Sequence, residues 1–497
     1  MMNRQNMFII DDNTSYPKIT VFSKELLMRK TAVFMMPLLA LLVGVWACNF
    51  QGIEDNGTSE SLILETDAAI EDEQQNSGAE EIQNQESNPI EIDPGKRIQL
   101  ANLVYMGAFR LPQEPGWDYS GQGLTYYPYG DPDGPEDGYP GSLFGVGHDH
   151  QQYISEISIP IPIISKNISA LNTATTLQPF SDLTGGIFTA EEMVIPRSGI
   201  AYLEYLGDPT KDKLHFTWGQ HFQGFEASHG WAGLDLSNPK AAGAWVLGEY
   251  TNYVTNDYLF EIPQDWANTY FQGMRLATGR AREGLWSGRG PALLAYEPFS
   301  EDNPPASNAV LKSITPLLLY GIPDPNLPEI QSDESMAMDG YRDADHWSGA
   351  AWLTAGDRAA VIFVGTKALG NEWYGFSNGV VWEHDCAEQN PQTCPDVPPW
   401  PYDNRGFWAD DYQAQILFFD PAALAAAATG QIETWEPQPY AVMVIDDVLF
   451  DPMLNYENYK RDLVGAAAFD SQHGILYIIE RLADEYRSVI HVWQVGN

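Results

Sequence analysis

The chain has 497 residues, room for two or three average domains or for one large all-β body. A hydrophobic fraction of 44% supports a sizeable core, while 68 acidic against 26 basic side chains give a net charge of -42. Phosphate backbones need a clustered basic surface, so nucleic acid is excluded as a partner. Part of the acidity is local, with 13 acids and no Lys or Arg in residues 49–94, yet residues 95–497 still hold 52 acids against 21 bases. Such a body suits a saline or calcium-containing medium and disfavours an anionic polymer unless a basic pocket is set into it. The aromatic content of 12% is read first as filling between sheets and second as a surface for stacking sugars.

In chain order, residues 1–27 show no pattern and read as a mis-called extension ahead of a true start at Met28. Met28-Arg29-Lys30 then forms a positive head, and an apolar run from Thr31 to Ala47 ends at Cys48. Residues 28–48 resemble a bacterial lipoprotein signal peptide: Val45 and Ala47 fit the cleavage box, whereas Trp46 departs from it. The resemblance implies lipidation of Cys48 and a body held outside the cytoplasm by its lipid anchor. An uncleaved membrane anchor is the alternative, and it gives the same address. Residues 49–97 are rich in Glu, Asp, Gln, Asn and Ser, too poor in apolar surface to offset their ordering entropy. They read as a disordered acidic linker spanning roughly 35–40 Å.

From residue 98 to 497 one unit recurs. An apolar strand ending in glycine and then a polar residue appears as L-F-G-V-G before His148, H-F-T-W-G before Gln220, R-L-A-T-G before Arg280 and V-I-F-V-G before Thr366. I-L-Y-I-I before Glu480 is a weaker fifth copy. Four copies follow a small-residue strand, at Ser120-Gly121, Ser198-Gly199, Ser348-Gly349 and Val464-Gly465. All five precede another strand, four of these ending near Pro160, Pro239, Pro298 and Pro421. The glycines at 147, 219, 279 and 365 are spaced 72, 60 and 86 residues apart, a degenerate array with loop insertions. Segments such as L-V-Y-M-G-A-F-R-L-P, A-W-V-L-G-E-Y, S-I-T-P-L-L-L-Y and Y-A-V-M-V-I can supply a fourth strand. Four-stranded units repeated around an axis make an all-β fold, the β-propeller. The spacing predicts five blades, with six or seven left open by the insertion between Lys367 and Gln413. Short helices are expected at 263–270 and 421–429 as surface decorations.

Cys386 and Cys394, with seven residues between them in a Pro-rich loop, are expected to form a disulfide. If the repeats converge, one channel mouth gathers His148, Asp149, Gln220, His221, Arg280, Arg282, Glu283, Lys367, Glu480 and Arg481. Of these, His148, Asp149, Arg280, Glu283 and Glu480 are the candidate catalytic groups, and Gln220, His221, Arg282, Lys367 and Arg481 the candidate ligand contacts. His148 and His150, two apart on an extended strand, would share a face and hold a divalent metal with His221, zinc by ligand type. Asp131, Asp133, Glu136 and Asp137 offer oxygen ligands of the kind calcium takes, in a turn whose spacing matches no EF-hand. Asp343, Asp345 and His346 form a further polar group. The competing reading of all of these is strand-end polar residues paired with one another. No Walker A loop, G-x-S-x-G, H-E-x-x-H or dinucleotide fingerprint occurs.

By repeat logic alone the body resembles secreted propeller proteins, which include glycoside hydrolases, polysaccharide lyases and sugar-binding lectins. The resemblance implies an envelope protein that binds or degrades a polysaccharide at its channel mouth. Hydrolysis would need two carboxylates, and a lyase would need a base with Arg280 or Arg282 beside the sugar acid. The rival is a non-catalytic envelope scaffold that binds protein partners.

Overall fold

The computed structural model describes residues 89–496, apart from segments 132–133, 135–137, 189–198, 220–223, 282–283, 298–303, 383–385, 387–393 and 452–460. The lipoprotein-like segment with Cys48 and most of the acidic linker lie outside the described residues. So do Gln220, His221, Arg282, Glu283, Asp133, Glu136 and Asp137.

The described residues form five antiparallel sheets, the blades of a β-propeller. The chain starts with β1 (Leu103–Arg110), which belongs to the last blade. Blade 1 comprises β2 (Leu124–Tyr127), β3 (Ser142–Val146), β4 (Ile154–Ser158) and β5 (Thr176–Ser181). Blade 2 follows with β6 (Ile200–Leu203), β7 (Lys213–Thr217), β8 (His229–Ala232) and β9 (Ala242–Leu247). Blade 3 has β10 (Tyr258–Glu261), β11 (Leu276–Gly279) and β12 (Leu293–Tyr296). A short β13 (Val310–Leu311) then adds in parallel to the edge of blade 2 before β14 (Ile314–Leu318) completes blade 3. Blade 4 contains β15 (His346–Ala355), β16 (Arg358–Phe376), β17 (Arg405–Phe419) and β18 (Ala441–Val444). Blade 5 has β19 (Val464–Asp470), β20 (Ile475–Asp484) and β21 (Arg487–Val495), and β1 closes it by pairing with β21. The ring is thus closed by the two ends of the folded chain.

Each aligned repeat is the second strand of a blade, and each of the four candidate fourth strands takes that place. Among the described residues the insertion between Lys367 and Gln413 adds no further blade. It prolongs the β16–β17 hairpin, whose pairing continues from Lys367↔Gln413 to Phe376↔Arg405 past one irregularity. The expected disulfide joins Cys386 and Cys394, with Cα atoms 5.0 Å apart.

The repeats read as unbroken apolar runs because both faces of every middle strand are buried. In V-I-F-V of blade 4, Val361 and Phe363 pack toward blade 3, while Ile362 and Val364 pack toward blade 5. Five apolar clusters fill the five junctions between neighbouring blades. The tryptophans serve this packing: Trp117, Trp218, Trp245, Trp347, Trp408 and Trp493 are all buried. Each contributes stabilisation on the order of 2–3 kcal/mol by leaving water.

The first strands meet in a ring around the axis, β2 touching β6, β6 touching β10, and so on round to β19 and β2. There the backbones approach closely: Ala466 N–H donates to the Gly121 carbonyl at 2.9 Å. A Cβ on Gly465 would lie 2.2 Å from the Gly121 oxygen, and one on Gly349 2.5 Å from the Gly465 oxygen. The recurring small-residue strand is therefore a steric requirement of five strands converging on one axis. We expect Gly465→Ala to cost ~2 kcal/mol by forcing blades 1 and 5 apart, read as a lower urea midpoint at unchanged slope. An unchanged midpoint would contradict this close approach.

Three expectations need correction. Residues 89–97, placed in the linker, are seated on the propeller: Ile90 N–H donates to Gln431 (2.8 Å), Arg97 pairs with Asp420 (2.6 Å) and Ile98 N–H bonds to Ala359 (3.2 Å). Helix α1 (Gln264–Tyr270) is the surface element expected, but α2 (Pro421–Ala428) buries Leu424, Ala425, Ala426 and Ala427 between blades 3 and 4. Its alanines allow the close approach that larger residues would block. Finally, His148-Asp149-His150 is not an extended strand. It opens a turn in which Gln151 and Gln152 N–H both donate to the His148 carbonyl. No helix among the described residues is long and apolar enough to cross a membrane.

Candidate functional site

The second strands all end, and the first strands all begin, at one mouth of the axis, called here the entry mouth. Of the described members of the expected constellation, His148, Asp149, Arg280, Lys367 and Arg481 stand at this level. Their side chains, however, are mostly committed to one another.

A repeated ion pair explains most of them. In blade 3, Arg280 follows the second strand and Asp257 precedes the first, with Nε–Oδ2 at 3.3 Å. Arg280 also donates to the Asn252 carbonyl at 2.8 Å. In blade 4 the pair is Lys367, one position further from its aligned glycine and within β16, and Asp345, 2.7 Å apart. In blade 5 the pair is Arg481 and Asp462, at 3.7 Å. Arg481 also reaches blade 1, donating to Asp149 at 2.8 Å and to the Ser120 carbonyl at 3.2 Å. His346 contacts the far side of Asp462 at 2.6 Å, and Gln122 donates to Asp149 at 3.3 Å. The result is a continuous polar chain, His346–Asp462–Arg481–Asp149–Gln122, tying blades 4, 5 and 1 together.

Burial sets the charges. It would raise the Asp462 carboxyl, but His346, Arg481 and Arg461 outweigh it and hold that group well below the usual carboxylate range. Asp345 is moved the other way: burial lifts it to about 6 against the opposing pull of Lys367. Burial lowers His148 despite the nearby Asp149 and Asp118. The His148 Nδ1 accepts the His150 N–H at 3.1 Å, and its ring meets Tyr119 edge-on at 5.6 Å.

Glu480 does not stand in the mouth. It is fully buried on the other side of β20, where its carboxylate accepts from Phe450 N–H (2.8 Å) and Asp451 N–H (2.7 Å) and meets His491 Nε2 (2.7 Å). The other His491 nitrogen faces the Tyr105 hydroxyl at 2.9 Å. Glu480 therefore anchors the segment before blade 5 and is unavailable to a ligand. Among the described residues no group of three or more His, Cys, Asp or Glu is placed to hold a metal ion. Of the further polar group, Asp345 pairs with Lys367, His346 with Asp462, and Asp343 is raised by burial.

Along the axis the passage narrows to about 10 Å³ between Gly199, Gly349, Ala466 and Asp257, space for about one water. Beyond it, where the first strands end, a funnel of about 410 Å³ opens at the exit mouth. Its floor is apolar, from Leu124, Leu259, Ala351, Ala467 and Ala468. Its wall is formed by the buried Tyr126, Tyr202 and Trp352, with both tyrosine hydroxyls held by Pro140 and Asp212, and by the half-buried Phe469; its acids are Glu204, Glu261 and the fully buried Asp470. Among the described residues no Lys, Arg or His lines it. Glu261 pairs with Arg275 from behind, and its carboxyl is raised chiefly by burial, with Glu204 adding to the rise. Asp470 is engaged by His473 at 2.7 Å. Glu204 makes no hydrogen bond or ion pair through its side chain with the described residues.

Sequence reasoning found Arg280, Lys367, Arg481, Asp149 and Asp345 but missed Asp257, Asp462 and Gln122. A signal existed for the two acids, since each stands one or two residues ahead of a first strand, as Asp345 does. The funnel residues carried a repeated position that went unused: Tyr126, Glu204, Thr354 and Asp470 each stand five residues after the glycine of a small-residue strand, Gly121, Gly199, Gly349 and Gly465. No protein-family model matches this chain, and no curated protein matches it in sequence.

Proposed function

We propose that this protein is an extracytoplasmic envelope propeller, tethered through a lipid on Cys48, that binds a carbohydrate in the axial funnel of its exit mouth. The observation behind this reading is the funnel itself. It is a concave site at the end of the axis with an apolar floor, aromatic walls and a few polar groups at the rim, the composition expected of a small-ligand pocket. Aromatic rings suit the apolar faces of sugar rings, and the carboxylates and hydroxyls suit their hydroxyl groups.

Binding is favoured over cleavage. Glycoside hydrolysis uses two carboxylates in separate roles, and here Glu261 is held by Arg275 and Asp470 by His473, leaving Glu204 alone. A lyase acting on sugar acids needs an accessible cation, and the described residues of the funnel lining include none, while Arg280 is buried beside Asp257. The lining thus points to neutral or amine-bearing glycans.

The test is a glycan-array screen of the purified protein with a parallel assay for release of reducing ends. Retention of neutral or amine-bearing glycans without release is the expected outcome. Retention confined to uronic-acid polymers, or steady release of reducing ends, would overturn the reading. The envelope address is checked separately, by loss of membrane association in Cys48→Ser.

A further inference from the structure

The funnel is not the whole of the exit face. A second cavity of about 490 Å³ adjoins it, and the two share Pro263 and Thr354 as a common wall. The second cavity is bounded by α1, by the chain entering at Ile90 and Glu91, by the β15–β16 turn and by the start of α2. An aromatic path crosses the wall. Trp352 lines the funnel and lies 5.5 Å from Trp266, which lines the second cavity and lies 5.1 Å from Tyr270 in the same helix.

Resting on the carbohydrate reading, we propose that the ligand is a linear, amine-bearing glycan that runs from the axial funnel across Trp266 and Tyr270 into this second cavity. A single sugar would fill one cavity and leave the aromatic path unused, whereas a chain can stack successive rings along it. The charge argument is independent. Among the described residues the second cavity is lined by two cations, Lys96 and Arg358, and Lys96 is bound to Asp357. Glu91 and Asp265 make no ion pair with the described residues, and Glu204 has none at the other end. Ammonium groups spaced along a chain would meet carboxylates at both ends and aromatic faces between them.

The probe is a series of glucosamine oligomers, from disaccharide to hexasaccharide, titrated calorimetrically into the purified protein. The hexasaccharide is expected to bind at least about tenfold tighter than the disaccharide, equivalent to 1.4 kcal/mol. Trp266→Ala should bring the hexasaccharide down to the disaccharide level and leave the disaccharide unchanged. Asp265→Lys, at an exposed position, provides the same comparison without touching the packing around Trp266. Affinity independent of length, or equal loss for both oligomers in both variants, would overturn the extended path. N-acetylated oligomers binding as tightly as the free amines would overturn the charge argument. Absence of binding by every oligomer would overturn the extended path, and if the glycan array is blank as well, the carbohydrate reading falls with it.

Discussion

Between pH 7 and pH 4.5 two histidines buried in their neutral form are expected to remove about 2.5 kcal/mol of folding free energy each, partly offset by buried carboxyls. His215 and His229 are both pushed down to about 3, primarily by burial, with Lys213 and Arg275 adding to the effect on His215. His229 sits between Ser228 and Thr278, whose hydroxyls lie 2.9 and 3.2 Å from its ring nitrogens. A native pKa below the unfolded value means that the unfolded chain takes up protons first as pH falls. The stabilisation is then complete above about pH 6.5 and disappears progressively toward pH 3. Over this interval each histidine removes about 2.5 kcal/mol.

Asp345 acts with the opposite sign. Its native pKa of about 6 lies above the unfolded value, so the folded protein takes up that proton first. It returns about 2 kcal/mol over the same interval, and the raised carboxyls of Glu261, Asp343 and Asp446 act in the same direction. Urea titrations across this range should show the loss, and His215→Gln with His229→Gln should flatten or reverse the slope. A double variant as acid-sensitive as the parent would show that the two rings do not govern the behaviour.

Replacing Arg481 by Met is expected to cost roughly 3–5 kcal/mol, the usual consequence of stranding buried partner charges. Only 3% of this side chain is exposed, and it serves Asp149, Asp462 and the Ser120 carbonyl together. Losing it leaves Asp462 facing His346 and Arg461 alone. The volume-conserving pair Arg481→Met with Asp462→Leu should recover much of the loss, because no buried carboxylate is then orphaned at that end. Chemical denaturation of both variants decides the matter. A loss under about 1 kcal/mol for Arg481→Met would mean that the polar chain contributes little to holding blades 4, 5 and 1 together.

The blades were legible because the physics repeats with them. A middle strand buried on both faces must be apolar throughout, as in V-I-F-V and I-L-Y-I-I, and a first strand crowded at the axis must be small, as at Gly349 and Gly465. The blade count stayed open because residues 367–376 and 405–413 have strand character of their own. Only their register shows that they prolong one hairpin. The ion pairs were half legible: the bases follow a recognisable glycine strand, whereas Asp257 and Asp462 stand ahead of strands with weaker signatures.

The open mouth was not read from the sequence, although its register was present there. Tyr126, Glu204 and Asp470 lie at the ends of first strands, each five residues after the repeated glycine, but their side-chain types differ from blade to blade and so showed no common motif. The turn at His148 was misread for a separate reason. Three polar residues after a strand can continue it or leave it, and backbone hydrogen bonds to the His148 carbonyl decide in favour of leaving.

The most direct measurement compares glycan affinity in two single variants, one at each end of the axis. Ser471→Trp places a large ring on the exposed rim of the funnel, and His148→Ala removes the most prominent histidine of the entry mouth. With the best ligand from the glycan array, Ser471→Trp should abolish binding while His148→Ala retains the parental affinity. Loss of binding in His148→Ala, with Ser471→Trp unaffected, would place the ligand at the opposite mouth and contradict the account.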